Sequence, residues 1–261
     1  MGQISIRGVE KRFQRSAFTH QVLKGVNLEV KDGEFIAILG SSGCGKTTLL
    51  NVIAGLTLPT GGAVLVDDRP VLGPGRDRGV VFQQDTLFLW RSVRRNVEYG
   101  LELRGIPASK RRQVALEWLK LVGLERFAEF WPKELSGGMK KRCQIAVVLA
   151  NDPDILLMDE PYGALDYSTK CELQEELLRV LDDRPKTVFF VTHDIEEAAF
   201  LADRVIVMDA GVISAEFRIG FERPRTEKLR LSEGFAKMRQ TLSDAIEAPR
   251  RKALAGVRDN G

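Results

Sequence analysis

The stretch Gly40-Ser41-Ser42-Gly43-Cys44-Gly45-Lys46-Thr47 decides the fold of this chain. Its glycines allow a tight turn in which successive backbone N–H groups point at a phosphate. An apolar strand precedes it and a helical pattern follows it, so the helix presents its positive N-terminal end to the same anion. The predicted phosphate-binding residues are Gly40, Ser41, Ser42, Gly43, Cys44, Gly45, Lys46, Thr47 and Thr48.

Roles inside this loop follow from side-chain chemistry. The Lys46 ammonium is predicted to reach the β- and γ-phosphates of a nucleotide, and the Thr47 hydroxyl to bind Mg²⁺. By chance, the full pattern should arise in about one chain of this size in a hundred. Its position between a strand and a helix makes a chance glycine turn a poor explanation.

A second motif carries two carboxylates. Four apolar residues, Ile155 to Met158, run directly into Asp159 and Glu160. A buried parallel strand would deliver both side chains to the carboxyl edge of a sheet, where ligands bind in open α/β folds. We expect Asp159 to hold Mg²⁺ and Glu160 to orient or deprotonate the attacking water. Alone, this motif is weak, because many strands end in acidic residues.

The rest of the chain alternates short apolar runs with helical patterns. Uninterrupted apolar runs predict a mostly parallel sheet covered on both faces, hence an α/β fold. Helical spacing dominates from about Asn96 to Ala150, and again in the tail. The tail is predicted to form a helix with an apolar stripe along one face. The simplest interpretation is that this stripe packs on its own domain, and the alternative is a contact with a second subunit. The stripe consists of Leu231, Phe235, Met238, Leu242 and Ile246.

Composition narrows the class of protein. Hydrophobic residues make up 44% of the 261, and the formal net charge is only +3, with both signs interleaved, so nucleic acid is not indicated as a partner. Three cysteines (Cys44, Cys143 and Cys171) predict no disulfide framework and a reducing cytoplasm. The N-terminal residues do not resemble a secretory signal, and no apolar run approaches the roughly 18 residues of a membrane span. Any membrane role is therefore predicted to act through a partner.

The run Leu135-Ser136-Gly137-Gly138-Met139 makes the interpretation specific, because it resembles the signature of the ABC ATPases. Other elements that are similar to that family's motifs follow the family's order over about residues 3 to 215. They are Phe13 as the aromatic that stacks on adenine (with Phe18 as a competing candidate), Gln83 as a Mg²⁺-binding glutamine facing a membrane partner, the loop Ala164-Leu165-Asp166, and the switch histidine His193. Taken alone, His193 would more often be a structural histidine, and Gln83 would be unremarkable.

The resemblance implies a P-loop NTPase fold with an antiparallel β subdomain and a helical subdomain inserted at about 87–150. It implies an ATPase domain over 1–222 and a short C-terminal helical extension over 223–261. Two copies would enclose two ATP molecules, with the P-loop of one facing the signature of the other. The implied site residues, besides the P-loop, are Glu160, His193 and Gln83 for catalysis, Thr47, Gln83 and Asp159 for Mg²⁺, and Phe13, Ser136, Gly137, Gly138 and Asp166 for ATP.

Finer likeness points to importers of nitrate, sulfonate, taurine and related anions. It rests on Arg78 to Gln83, on Trp90, on Asn96-Val97, on Leu135 to Met139 with Met in the last position, and on Asp159 to Asp166. The implied protein is a homodimeric, peripheral subunit at the cytoplasmic face of the membrane, beneath a permease that an extracytoplasmic solute-binding protein serves indirectly. This sequence departs from the group's pattern at Leu89, Cys143, Gln144 and Val147-Val148, which weakens the solute assignment and removes no catalytic group.

Three alternatives remain at this point. A soluble ABC ATPase of DNA repair or translation usually carries two ATPase units, a coiled coil or a basic patch, and this sequence shows one P-loop and no sustained heptads. The ATPase of a lipid-trafficking ABC complex stays open. A non-hydrolysing binding module is disfavoured because Lys46, Asp159, Glu160 and His193 are all present.

Overall fold

The computed structural model describes residues 2–15, 18–163 and 165–258, and their side chains except those of Arg15 and 249–258. The chain divides into two compact units. Unit 1 comprises residues 1–75 and 187–261, and unit 2 comprises residues 76–186. Each unit is built from a different part of the predicted pattern and is described by itself.

The N-terminal half of unit 1 holds an antiparallel sheet and the strand–helix pair that flanks the P-loop. The sheet has the strand order β2-β1-β4-β5. The elements are β1 (Ile4–Arg15), β2 (Phe18–Val30), β3 (Phe35–Gly40), α1 (Lys46–Ile53), β4 (Gly61–Val66) and β5 (Arg69–Pro70).

The first two strands are longer than the sequence predicts. Short strands are expected around Ile4 and Val22, and this expectation is wrong: β1 has 12 residues and β2 has 13. Most of the apolar residues that reveal each strand lie towards one end, and the other end is mostly polar apart from Phe13 and Phe18. The polar ends stay in strand conformation because their backbones pair with each other as far as Arg15 and Phe18.

The C-terminal half of unit 1 completes a second sheet around β3. Its strands lie in the order β10-β9-β3-β8, with β3 parallel to β8 and β9, and β10 antiparallel at the edge. Ile36, Ala37 and Ile38 of β3 are fully buried, as an apolar run covered on both faces requires. The further elements are β8 (Thr187–Val191), α6 (Ile195–Leu201), β9 (Arg204–Asp209), β10 (Val212–Arg218), α7 (Glu227–Arg230) and α8 (Glu233–Arg258).

Unit 2 is mostly helical and contains one parallel strand pair. Two 3-10 helices, Glu125–Phe127 and Pro132–Glu134, lead into the signature. Arg78 pairs with Ile155 at the start of that strand pair, and Val81 with Met158 near its end. The elements are β6 (Arg78–Val81), α2 (Val93–Leu103), α3 (Ala108–Leu121), α4 (Gly137–Leu149), β7 (Ile155–Asp159) and α5 (Tyr167–Asp183).

The C-terminal helix α8 packs on its own unit. It contacts α6 and β9, and Phe235 and Leu242 of the predicted stripe are fully buried. Leu231 is a correction: its side chain is 83% exposed, because it lies in the turn between α7 and α8 and not on the helix. Met238 and Ile246 are half-buried.

The predicted fold class is confirmed. Parallel strand pairs carry the P-loop and the carboxylates, an antiparallel sheet belongs to unit 1, and helices dominate the middle of the chain. Among the described residues, no helix has both the length and the apolar character needed to cross a bilayer.

Candidate functional site

The P-loop links β3 to α1 in unit 1. Gly45 caps α1 with a positive φ of 107° and offers no side-chain oxygen to the first helical N–H groups. Those groups are therefore available to an anion at the helix N-terminus. The loop closes on itself through a hydrogen bond from Cys44 N to Ser41 O of 3.3 Å.

Two glycines of this loop are explained by their surroundings and their backbone conformation. A Cβ at Gly40 would lie 2.3 Å from the backbone oxygen of Met208 on β9. A Cβ at Gly45 would lie 2.9 Å from Cδ2 of Leu23 on β2. At Gly40 the obstacle is the backbone of β9, so no side chain fits there. At Gly45 the nearest obstacle is the tip of a leucine, and the positive φ of 107° is what favours glycine.

Lys46 is buried inside the loop. Its Nζ donates to Gly40 O at 2.8 Å and to Ser41 O at 3.1 Å, and the residue is only 6% exposed. The loop carbonyls thus hold the ammonium among the backbone amides that the sequence assigns to phosphate. Thr47, the next residue, is exposed and can present its hydroxyl outward.

Both aromatic candidates for adenine stacking lie near the end of the β1–β2 pair. Phe13 is 47% exposed and has the Lys11 Nζ 5.1 Å from its ring centre. Phe18 is 82% exposed and pairs with Arg15 on the opposite strand. The fold leaves both rings accessible, so the choice between them stays a prediction.

His193 follows β8 on a firmly held turn. Thr192 donates its hydroxyl proton to Glu197 at 2.6 Å and accepts a hydrogen bond from Asp194 N at 3.0 Å. Asp194 caps α6 by accepting from two backbone N–H groups. The exposed His193 lines a groove of about 690 Å³ whose other wall is α8, including Arg239.

In unit 2, β7 places Asp159 and Glu160 at its carboxyl end, as predicted. The amide of Gln83, two residues beyond β6, donates to Glu160 Oε2 at 3.3 Å. Because the amide donates through its nitrogen, its oxygen has the acceptor chemistry that a cation needs. A carboxylate, a second carboxylate and an amide oxygen are oxygen donors of the kind that Mg²⁺ prefers.

Glu160 has an unusual backbone. Its φ of 43° lies in the left-handed region, which costs a non-glycine residue about 1–2 kcal/mol. Such positions persist where the surroundings impose them and are concentrated at functional sites. The turn that follows holds it, with Gly163 N donating to Glu160 O at 3.3 Å.

The signature begins α4. Ser136 is the N-cap, and its Oγ accepts a hydrogen bond from Met139 N at 3.3 Å. Because a hydroxyl both accepts and donates, its proton remains available to an anion. Ser136 and Gly137 are exposed, while a Cβ at Gly138 would lie 2.7 Å from Cγ2 of Thr169 on α5.

That close approach joins the signature to the next predicted loop. Asp166 caps α5, accepting from the backbone N and the hydroxyl of Thr169 at 3.0 and 2.7 Å. These hydrogen bonds lower the pKa of the Asp166 carboxyl, so it is ionised at neutral pH. Leu165 belongs to the same turn, and Ala164 lies outside the described residues.

Comparison with protein families decides the affiliation. The model of the ABC transporter family matches residues 23–163, from the middle of β2 to the turn after Glu160. The chain belongs to the ABC transporter family. It is accordingly an ATP-binding and ATP-hydrolysing protein of the ABC type.

Individual ABC proteins resemble the chain over most of its length. An uncharacterised ABC transporter ATP-binding protein of Methanocaldococcus jannaschii is 48% identical, over 97% of this chain and 94% of its own. The nitrate import ATP-binding protein NrtD of Synechocystis is 45% identical, over 86% and 87%. The taurine import ATP-binding protein TauB of Rhizobium johnstonii is 46% identical, over 86% and 88%.

A solved ABC structure matches the fold. The ATP-binding cassette MJ0796, as a post-hydrolysis dimer bound to ADP and phosphate, superimposes with a TM-score of 0.76 at 38% identity. The match covers 84% of this chain and all of that one. The ABC motifs therefore lie on an ABC fold.

Sequence reasoning missed the residues that hold the loop after Gln83. No sequence pattern assigns a role in this loop to Asn96, yet it is 2% exposed, donates to three carbonyls and accepts from Phe88 N at 2.7 Å. Lys141 and Gln144 on α4 donate to backbone carbonyls at the start of the same loop. The sequence held no local signal for these contacts, because the burial of Lys141 becomes visible only in the fold.

Proposed function

We propose that this ABC ATPase is the ATP-hydrolysing subunit of an importer for a small anionic solute. The observation that carries the proposal is the pairing of complete ABC chemistry with near-full-length likeness to ATPases named for nitrate and taurine import. It acts as a peripheral protein at the cytoplasmic face of the membrane. Solute choice then rests with the permease and its binding protein.

In the proposed reaction the P-loop amides and Lys46 bind the phosphates, and Glu160 orients or deprotonates the attacking water. Mg²⁺, bound by Thr47, Asp159 and Gln83, would neutralise phosphate charge. His193 is assigned to the γ-phosphate, and Phe13 (or Phe18) to the adenine. All of these groups have the chemistry that phosphoryl transfer needs, namely positioning and charge stabilisation.

A homodimer completes the site. Ser136 and the amides of Gly137 and Gly138 form an exposed helix N-terminus with an available hydroxyl proton, which suits the γ-phosphate of a second copy. Asp166, held ionised by its cap, lies on the same exposed surface of unit 2. The dimeric arrangement of the related cassette supports this assembly. ATP binding would close the dimer and hydrolysis would open it.

Unit 2 also offers a surface for the permease. Leu89 and Trp90 are 65% and 71% exposed, although the neighbouring Phe88 fixes the indole at a ring distance of 5.2 Å. Tyr99 packs edge-on against Phe88 at 4.6 Å. A rigid exposed aromatic beside a leucine fits the hot spots of protein interfaces, and we assign it to an apolar cytoplasmic segment of the permease.

The test is a tagged pull-down from detergent-solubilised native membranes, with mass spectrometry of the captured proteins. We expect a polytopic permease, lost in Trp90→Ala and retained in Leu72→Ser, since Leu72 is a comparably exposed side chain of unit 1. The captured complex, reconstituted in vesicles, should raise its ATPase rate with nitrate or a sulfonate in the presence of the binding protein. Capture of only soluble proteins or nucleic acid would contradict the importer assignment.

A further inference from the structure

We propose that Lys141 and Gln144 are positioning residues that tie the loop after β6 to α4 and thereby hold Gln83 against Glu160. The proposal rests on the proposed role of Gln83 and Glu160 in hydrolysis. Both residues belong to unit 2, as do all their partners described below. They lie three positions apart and so share one face of the helix.

Lys141 is buried, and burial of a charged side chain carries a desolvation cost. It is 5% exposed, and burial lowers its pKa. Its Nζ donates to Phe82 O at 3.0 Å and to Gln83 O at 3.2 Å, the carbonyls of two consecutive residues. A buried ammonium that donates to backbone carbonyls at the base of a loop fixes the path of that loop.

Gln144 extends the same contact along the loop. It is 2% exposed, and its Nε2 donates to Gln84 O at 3.0 Å and lies 3.5 Å from Thr86 Oγ1. Its Oε1 is buried without a hydrogen-bond partner among the described residues. An unsatisfied buried oxygen destabilises the fold, so an apolar residue would serve packing alone better than glutamine does.

The second half of the loop is held from another helix. The amide of Asn96 on α2 donates to Phe88 O, Arg91 O and Ser92 O at 3.0 to 3.1 Å. Residues 83–86 are therefore held by α4, while residues 88–92 are held by α2. The exposed Leu89 and Trp90 sit on the part that α2 holds.

The hydrogen bonds from Lys141 and Gln144 to the loop, here called the clamp, connect three functional groups through the helix α4. Ser136 caps α4 at its start, and Lys141 holds the Gln83 backbone little more than one turn later. The Gln83 side chain in turn donates to Glu160. A displacement of the loop by a partner would thus move Gln83 relative to Glu160, and it would either break the Lys141 hydrogen bonds or carry α4, and Ser136 with it.

The test is a double-mutant cycle on ATP hydrolysis by the purified full-length protein. Gln83→Ala and Lys141→Met should each lower kcat about tenfold, roughly the effect of one hydrogen bond to a charged group, and leave KM for ATP within about twofold. The double variant should be no slower than Gln83→Ala, because Lys141 acts only through Gln83. If the two substitutions instead lower kcat by factors that multiply in the double variant, the two residues act independently and the proposal is wrong.

Arg142→Met is the matched control. Arg142 lies next along α4, and its guanidinium contacts Val122 O, Glu172 and Glu176. It should lose thermal stability and keep the parental kcat per folded molecule, which separates the clamp from a general effect of damaging the helix. A kcat loss equal to that of Lys141→Met would contradict the proposal.

Two failures can be told apart. If Gln83→Ala keeps the parental kcat, the catalytic role of Gln83 is wrong, and the clamp falls with it. If Gln83→Ala is slow but Lys141→Met is not, the clamp alone is wrong. Should Lys141→Met not fold, Gln144→Met carries the same cycle, since methionine conserves volume and removes the donor to Gln84 O.

Discussion

Gly40→Ala is the sharpest steric test of the P-loop. The new Cβ would lie 2.3 Å from Met208 O and 2.7 Å from Cys44 Sγ. Reaching an ordinary separation of about 3.5 Å requires a shift of roughly 1 Å. The obstacle at Met208 is backbone of the neighbouring parallel strand, so it cannot turn away as a side chain would.

The cost can be estimated. Overpacking of this kind costs up to about 3 kcal/mol. For a chain of this size, a loss of about 3 kcal/mol lowers Tm by roughly 6–12 °C. The Cβ also pushes on Cys44 within the loop, so ATP affinity measured by calorimetry should fall as well.

Gly33→Ala is the matched control for this substitution. Gly33 has a positive φ of 72°, but a Cβ there meets nothing within 4 Å. It should cost only the left-handed penalty of about 1–2 kcal/mol and leave ATP affinity unchanged. If Gly40→Ala melted no lower than Gly33→Ala and bound ATP normally, the close approach of β9 to the loop would be wrong.

Three further predictions follow from single residues. Lys46→Ala should weaken ATP binding by about 10- to 100-fold, since it loses charge-assisted hydrogen bonds, and unchanged calorimetric affinity would refute the phosphate role. Ser136→Ala and Ser92→Ala should each lose about 1 kcal/mol of helix capping, but only Ser136→Ala should slow turnover; equal rates would remove the signature serine from the site. Burial raises the pKa of Cys143 to about 12, leaving about 10⁻⁴ of it as thiolate at pH 8, so iodoacetamide should label the half-buried Cys171 first, as peptide mass spectrometry can check.

The parts that sequence predicts are those with local signals. Strand β3 is an unbroken apolar run that leads into the glycines of the P-loop. Strand β7 is an apolar run that ends in the two carboxylates. Both strands could therefore be predicted together with their site residues. Strand β10 was missed because its residues alternate between exposed and half-buried, which leaves no apolar run. Its pairing with β9 is what makes it a strand.

Long-range contacts set the limit for the site. Lys141 is 58 positions from Gln83 in sequence, and no local pattern links them. Gln144 was recognised only as a departure from the family's apolar residues, and its polarity makes sense once its amide is seen at Gln84 O. Leu231 failed for the opposite reason: helical spacing alone placed it on α8, and a turn intervenes.

The most direct test of the central claim is Glu160→Gln, studied with ATP and Mg²⁺. Removing the proposed base should lower turnover at least about 100-fold, while binding groups stay intact. Calorimetry should then show retained ATP affinity, and size-exclusion chromatography should show an ATP-dependent dimer that the parent protein forms only transiently. Turnover at the parental rate would contradict the assigned role of Glu160, and a monomer saturated with ATP would contradict the proposed closing of two copies around the nucleotide.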